Sequence, residues 1–150
     1  MKVNGFDFSN KKVLVTGASR GIGLGVARGF AHAHADLSII GTNEKVHETA
    51  EMLSRETGNV VEGLVCDITD RNVVSRTVGR LGALDVLVNN AGYERLTPIL
   101  QDGSEVEDVF RRIVDVNILG TYHVTREAVQ KMGAGSRIVI TASVWGKTGM

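Results

Sequence analysis

The chain has 150 residues, 43% of them hydrophobic, and its 17 basic residues balance 17 acidic ones. This length is typical of a single domain with one core, and the even charge without basic blocks favours a small-molecule partner over nucleic acid. No apolar run approaches the length of a membrane span or forms a leader peptide near the N-terminus. Cys66, the only cysteine, excludes an internal disulfide, so we expect a buried thiol and a cytoplasmic protein.

Apolar runs and helix-like segments alternate along the chain. The strand-like runs span about residues 12–16, 36–41, 60–66, 84–89 and 136–142, and the helix-like segments about 22–34, 44–57, 70–81 and 104–132. Several of the strand-like runs are almost wholly apolar, as strands are when helices cover both faces of a parallel sheet. The alternation predicts a doubly wound α/β fold with right-handed crossovers.

The first strand-like run ends in a glycine-rich turn, Thr16-Gly17-Ala18-Ser19-Arg20-Gly21-Ile22-Gly23. Gly17 permits a tight turn, Gly21 lets the backbone approach a phosphate, and Gly23 lets the following helix pack on the strand. The N-terminus of that helix favours an anion. A dinucleotide is the expected ligand, and a mononucleotide kinase or ATPase is disfavoured because no Lys-Ser/Thr pair follows as in a P-loop. A glycine turn that only solves a packing problem is the alternative.

Polar residues also follow three later strand-like runs. Asp67 comes after the third run, Asn89-Asn90-Ala91-Gly92 after the fourth, and Ser143 after the fifth. Open α/β sheets bind ligands at the carboxyl ends of their strands. These residues therefore predict a ligand cleft at that edge of the sheet.

One set of motifs, spread over nearly the whole chain, resembles the short-chain dehydrogenase/reductase family of classical type. The set consists of Thr16-Gly17-x-x-x-Gly21-x-Gly23, Asp67, Asn89-Asn90-Ala91-Gly92, Asn117 and Ser143. The resemblance implies a three-layer αβα Rossmann-type sheet with strand order 3-2-1-4-5 that lacks the family's C-terminal strands. Residues 1–150 would then be an incomplete dinucleotide-binding domain. The resemblance also implies NAD or NADP as cofactor and the reversible oxidation of an alcohol to a carbonyl compound.

At the adenosine end, the resemblance implies that Asp67 accepts a hydrogen bond from the adenine amino group, with Ile68 beside the ring. A helix cap is the plainer role for Asp67. Gly41 stands where an acid would select NAD, so NADP is preferred, with Arg20 near its 2′-phosphate. A solvated turn residue is the alternative for Arg20, and Thr42 suits either ribose, which leaves NAD open. The turn residues expected to bind cofactor are Gly17, Ser19, Arg20, Gly21, Ile22 and Gly23.

At the nicotinamide end, the resemblance implies cofactor-binding roles for Asn89, Asn90, Ala91 and Gly92, with Asn89 also tying the fourth strand to its neighbour. A simple turn is the alternative. Asn117 is a poor helix former among apolar neighbours, which predicts a buried amide. In the family, the matching asparagine bends the helix and holds a water in a proton relay, and the matching serine binds the substrate oxygen. Asn117 and Ser143 are the predicted catalytic residues.

The family's Tyr-x-x-x-Lys pair, expected about a dozen residues beyond the serine, does not occur within residues 1–150. We therefore expect the 150-residue chain itself to lack turnover. Tyr122 and Arg126 share the spacing but follow Asn117 by about one turn, so they are assigned to packing and to a solvated face. A non-catalytic dinucleotide-binding module is the alternative function.

Two expectations concern surfaces. The fifth strand should form an exposed edge beside apolar helix surface, which favours a homo-oligomer. The segment from Tyr93 to Gly103, which contains the only proline, Pro98, should border the substrate. Tyr93, Glu94 and Arg95 suit a polar substrate such as a sugar or polyol, although an ordinary exposed loop fits them equally.

Overall fold

Strands and helices alternate in the computed structural model, which describes residues 5–97, 100, 103–144 and 146. The strands are β1 Lys12–Thr16, β2 Asp36–Gly41, β3 Val61–Val65, β4 Leu84–Asn89 and β5 Met132–Ile140. The helices are α1 Gly21–His32, α2 Lys45–Thr57, α3 Arg71–Gly79, α4 Ser104–Val114 and α5 Thr121–Val129. The π-helical segment Asp115–Gly120 joins α4 directly to α5.

The strands form one parallel sheet in the order β3-β2-β1-β4-β5. β1 lies at its centre, where Val13 pairs with Leu37 of β2 on one side and with Val86 of β4 on the other. The predicted strand order is confirmed. Because all strands run the same way, the glycine turn and the polar residues after β3, β4 and β5 lie at one edge of the sheet.

Two apolar clusters cover the two faces of the sheet. Val13 and Val15 of β1 contribute to the cluster under α1 and α2, whereas Leu14 faces the cluster under α3 and α5. This alternation follows from the two-residue period of a strand, and all three side chains are fully buried. The predicted three-layer αβα arrangement is therefore confirmed.

The C-terminal part departs from the predicted boundaries. The helix expected over 104–132 ends at Val129, and β5 begins at Met132 rather than at residue 136. Gly133 and Gly135 gave no strand signal because glycine lacks a side chain that could show an apolar pattern. Gly135 has a φ of +90°, and the pairing of β4 with β5 shifts register between Leu84 and Val86. The strand therefore starts with an irregular stretch that periodicity alone does not reveal.

The surface formed by α4, the π-helical segment and β5 includes exposed apolar side chains, as predicted. None of the residues of α4 is buried, and Phe110 and Ile118 are 57% and 61% exposed. Ile140 of β5, the last strand of the described sheet, is 58% exposed. Tyr122 is also exposed, so the packing role predicted for it is wrong.

Within the described ranges, no helix combines the length and apolarity that a bilayer crossing requires.

Candidate functional site

A first cleft of about 380 Å³ opens at the carboxyl edge of the sheet. Its lining includes every predicted cofactor-binding residue except Gly23 and Asn89. The lining residues are Gly17, Ser19, Arg20, Gly21, Ile22, Ile40, Thr42, Cys66, Asp67, Ile68, Asn90, Ala91, Gly92, Arg112, Val116 and Thr141. Cys66 is buried, as expected, and burial raises the pKa of its thiol.

The three motif glycines of the turn serve different purposes. Gly17 has a φ of +66°, and a Cβ on it would lie 2.7 Å from Ala91 Cα. A Cβ on Gly23 would overlap the carbonyl oxygen of Gly17 and the side-chain nitrogen of Asn90, so Gly23 permits close packing rather than lining the cleft. Gly21 has a φ of +58°, and no atom lies within 4 Å of its Cβ position. Gly21 thus leaves its backbone open to the first cleft.

A buried hydrogen-bond network holds this turn against the residues after β4. Thr16 Oγ1 accepts hydrogen bonds from the backbone amides of Asn90 and Ala91, each at 3.0 Å. The Asn90 side chain donates to the carbonyl oxygens of Thr16 and Gly17, at 3.1 and 3.3 Å. Sequence reasoning gave Thr16 no role of its own, although its place directly before the glycine turn was the available signal.

Asn89 is directed away from the first cleft. Its side chain is 3% exposed, and its Nδ2 donates to Thr125 Oγ1 on α5 at 2.9 Å. Its carbonyl oxygen accepts a hydrogen bond from the Thr141 amide at 2.9 Å, so its backbone joins the end of β4 to the chain after β5. Asn89 Oδ1 is buried without a hydrogen-bond partner among the described residues.

Near the end of β2, the Ser19 hydroxyl and Gly41 depend on each other. A Cβ on Gly41 would overlap Ser19 Oγ and lie 3.0 Å from Val46 Cβ. Ser19 Oγ is buried with no hydrogen-bond partner among the described residues, although the residue lines the first cleft. A buried hydroxyl normally has a partner, so this group fits a cleft that receives a polar ligand. Arg20 and Thr42 are exposed on the same cleft.

Asp67 lies beyond the end of β3 and is held by Thr69 and Arg112. Its Oδ1 accepts hydrogen bonds from the backbone amide and hydroxyl of Thr69, at 2.9 and 2.8 Å, and its Oδ2 pairs with Arg112 at 3.3 Å. Partial burial alone would raise the pKa of Asp67, but the Thr69 hydrogen bonds and the Arg112 guanidinium outweigh it and lower that pKa. Asp70, not Asp67, caps α3, by accepting from the Asn72 and Val73 amides.

A second cleft of about 400 Å³ adjoins the first. Its lining includes both predicted catalytic residues, and it shares Asn90, Ala91, Gly92 and Thr141 with the first cleft. The other lining residues are Asn89, Tyr93, Glu94, Asn117, Thr121, Ile140, Ala142 and Ser143. Of the segment predicted to border the substrate, Tyr93 and Glu94 line this cleft, and Pro98 lies outside the described residues.

Asn117 lies within the π-helical segment, and its side chain makes two hydrogen bonds to the backbone of Tyr93. Its Oδ1 accepts from the Tyr93 amide at 2.8 Å, and its Nδ2 donates to the Tyr93 carbonyl at 2.9 Å. The prediction of a buried amide is wrong: Asn117 is exposed, although its side chain is hydrogen-bonded to the Tyr93 backbone. The implied local distortion of the helix is present as the π-helical segment.

Arg112 and Val116, for which the sequence predicted no role, also line the first cleft from the helix side. Both belong to an amphipathic pattern that predicts a helix face but not what that face meets. The described residues contain no group of three or more His, Cys, Asp or Glu side chains that could hold a metal ion. The arrangement therefore offers hydrogen-bond donors, an open backbone turn and an ion pair as its binding groups.

The known proteins to which this chain is similar include a dehydrogenase, a reductase and structures that contain NADPH. L-fucose dehydrogenase from Bos taurus is 36% identical over 143 residues, which cover 93% of this chain and 51% of that protein. The structure of BdcA in complex with NADPH is 35% identical, covers 94% of this chain and 55% of that one, and has a TM-score of 0.80. L-sorbose reductase from Gluconobacter frateurii, complexed with NADPH and L-sorbose, is 26% identical with a TM-score of 0.84, covering 96% and 56%.

The chain thus spans about half the length of the curated relatives it matches. A family model described as short chain dehydrogenase matches residues 11–150. The matched range contains the glycine turn, both clefts and every predicted site residue. The chain belongs to the short chain dehydrogenase family.

Proposed function

We propose that the chain binds NADP(H) in the first cleft and serves an oxidoreductase that interconverts an alcohol and a carbonyl compound. The observation that carries this proposal is that Asn90, Ala91 and Gly92 line both clefts. A dinucleotide lying along the first cleft would reach the second cleft at this shared wall. Residues 1–150 would then act as a dinucleotide-binding domain that is incomplete relative to the family.

The preference for NADP rests on the end of β2. Gly41 places no carboxylate there to repel a 2′-phosphate, and the Ser19 hydroxyl lies directly against it. Arg20 adds a positive charge on the same cleft. Two solved relatives, BdcA and L-sorbose reductase, contain NADPH. NAD remains the second candidate, because Thr42 suits the ribose of either cofactor.

Individual residues of the chain would bind the cofactor, bind the substrate and support the wall between the clefts. The nicotinamide ring, when bound, supplies or accepts the hydride. Gly21 and its neighbours would hold the diphosphate, and Asp67 would accept a hydrogen bond from the adenine amino group. Ser143 would bind the substrate oxygen, and Asn117 would hold Tyr93 beside it while supporting a water in the proton path. Asn89 would support the wall between the clefts through Thr125 rather than touch the cofactor.

We propose that residues 1–150 bind the dinucleotide without turnover. Proton transfer at pH 7 needs a group with a pKa near neutrality, and the family's Tyr-x-x-x-Lys pair does not occur in this sequence. The second candidate function, a module that binds a dinucleotide without any catalysis, shares this expectation. The two differ once the downstream sequence of the longer relatives is joined to the chain, because only an oxidoreductase domain would then reduce a carbonyl compound.

The substrate we favour is a sugar or polyol. Tyr93 and Glu94 are polar residues that line the second cleft, and Arg95 follows them in the chain. The names of two relatives, L-fucose dehydrogenase and L-sorbose reductase, indicate the same class. We also propose a homo-oligomer in the cytoplasm, supported by the apolar surface around Phe110 and Ile118 and by the buried, unpaired Cys66.

Titration of the purified chain with NADPH and NADH, followed by nicotinamide fluorescence, tests the binding proposal. We expect tighter binding of NADPH. Gly21→Val should weaken it by about tenfold or more, because a side chain would strain the positive φ and enter the cleft. Gly25→Ala is the matched control, since Gly25 lies on α1 with open space at its Cβ position. Unchanged affinity in Gly21→Val would contradict the proposal, and carbonyl reduction by residues 1–150 alone would contradict our account of proton transfer.

A further inference from the structure

The ion pair between Asp67 and Arg112 joins two elements across the first cleft. Arg112 lies on α4, whereas Asp67 lies in the turn after β3, and both line the cleft. The guanidinium acts as a fork: Nη2 lies 3.3 Å from Asp67 Oδ2, and Nη1 lies 3.3 Å from Thr69 Oγ1. A planar fork that engages two neighbouring acceptors fixes an orientation, which a single ammonium group does not.

The two oxygens of Asp67 are not equivalent. Oδ1 accepts both hydrogen bonds from Thr69, whereas Oδ2 accepts from Arg112. A carboxylate oxygen has two acceptor positions, so Oδ1 is filled and Oδ2 retains one position. A ligand in the cleft would therefore meet Oδ2, whose surroundings Arg112 sets.

The helix that carries Arg112 continues through the π-helical segment into α5 and lies beside the stretch around Asp67 and Ile68. One turn after Arg112, Val116 also lines the first cleft. A Cβ on Gly120 would lie 2.6 Å from Ile68 Cγ1, so the glycine makes room for Ile68. His123 Nδ1 then lies 3.3 Å from the Ile68 carbonyl oxygen. Because successive turns of this continuous helix contact the stretch from Asp67 to Thr69, the helix backbone that carries Arg112 is held beside Asp67.

We propose that Arg112 is a specificity-determining residue of the adenosine pocket, which orients Asp67 as an acceptor and so selects a 6-amino purine over a 6-oxo purine. The inference rests on the proposed function, since it assumes that the adenine of a dinucleotide lies at Asp67. An ionised carboxylate only accepts hydrogen bonds, so it pairs with an amino group and repels a carbonyl oxygen. Arg112 acts here as a positioning residue, through Asp67.

Calorimetric titration with NADP⁺ and with its hypoxanthine analogue tests this inference, because the two ligands differ at the purine ring. We expect the wild-type chain to prefer NADP⁺ by about tenfold or more, and Arg112→Gln to reduce this preference by about fivefold. Arg112→Lys should give an intermediate preference. Arg111→Gln is the matched control, since Arg111 pairs with Glu107 on its own helix and does not line the cleft, and it should keep the wild-type preference.

A double substitution separates action through Asp67 from a general loss of structure. In the Asp67→Asn background, Arg112→Gln should change the preference no further. The inference is overturned if Arg112→Gln keeps the wild-type preference, if the preference rises, or if the wild-type chain binds both ligands equally. Failure of the wild-type chain to bind either ligand would refute the proposed function itself. Circular dichroism checks folding of Arg112→Gln, and Arg112→Lys carries the test if that variant does not fold.

Discussion

Asn90, the residue after β4, donates two hydrogen bonds to Thr16 at the end of β1. The Asn90 amide donates to Thr16 Oγ1 at 3.0 Å, and the Asn90 side chain donates to the Thr16 carbonyl oxygen at 3.1 Å. The same hydroxyl oxygen also accepts from the Ala91 amide. One buried side chain thus fixes the glycine turn relative to the wall shared by the two clefts.

Replacing Thr16 with valine should destabilise the fold. The substitution leaves two backbone amides without their acceptor, which costs about 2–4 kcal/mol of unfolding free energy. Thr16→Ser keeps the oxygen and loses one methyl group, so it should cost only about 1 kcal/mol. Urea denaturation of both variants measures the difference, and equal losses would show that packing, not the hydroxyl, stabilises this junction.

The carboxylate of Asp67 should contribute to stability in a pH-dependent way. Its pKa in the folded chain is below the ordinary value of 3.8, so its contribution is fully present above that value and is lost as the pH falls through the folded pKa. The difference in Tm between wild type and Asp67→Asn should therefore be constant above about pH 5 and shrink below pH 3.8. A difference that grows toward low pH would contradict this sign. In Thr69→Ala the difference at neutral pH should be smaller and the decline should end at a higher pH, because loss of the Thr69 hydroxyl brings the folded pKa of Asp67 closer to 3.8.

Asn117 should protect the backbone of Tyr93 from exchange. Its side chain accepts from the Tyr93 amide and donates to the Tyr93 carbonyl. In Asn117→Ala we expect that amide to exchange about tenfold faster, corresponding to the loss of one hydrogen bond. Hydrogen exchange measured by NMR or mass spectrometry checks this, with Ile118→Ala, an exposed neighbour, as control. Equal rates in wild type and Asn117→Ala would mean that this pairing is not maintained in solution.

The apolar surface of α4 and the π-helical segment should promote self-association. Phe110 and Ile118 are more than half exposed, and exposed apolar side chains of this size favour burial against another chain. Sedimentation velocity over a concentration series should show association, and Phe110→Glu with Ile118→Glu should weaken it by about tenfold or more. Met52→Glu alters an exposed apolar residue of α2 and should leave association unchanged. A monomer at every concentration would refute the expectation.

The sheet could be predicted from sequence because its strands have clear signals. β1, β2 and β4 lie where their apolar runs predicted them, since each run is short, continuous and closed by glycine or polar residues. The beginning of β5 could not be predicted, because Gly133 and Gly135 carry no side chain to show a pattern. Its pairing with β4 is a tertiary contact that local sequence does not contain.

In the candidate site, too, some residues could be predicted from the sequence and others could not. Asp67 and Asn117 stood out because a polar residue after an apolar strand, or inside an apolar helix segment, is conspicuous, whereas Ser143 was assigned from the family resemblance alone. Arg112 did not stand out, because a charged residue on an amphipathic helix is the ordinary solvent-facing case until the turn of Asp67 is seen beside it. The burial of Asn117 was wrongly inferred for a related reason: apolar neighbours in sequence do not establish that another element covers them.

The π-helical segment gives its helix one residue of tolerance in length. Its i→i+5 hydrogen bonds accommodate one residue more than an α-helix would over nearly the same rotation, so a single deletion within Asp115–Gly120 would leave an ordinary α-helix with Gly120 still beside Ile68 and His123 still beside its carbonyl. A deletion in the α-helical part of α4 after Arg112 would instead turn everything that follows by about 100° relative to Arg112. Single-residue deletions in homologous chains should therefore occur in the π-helical segment or in the flanking loops, and not in the α-helical parts.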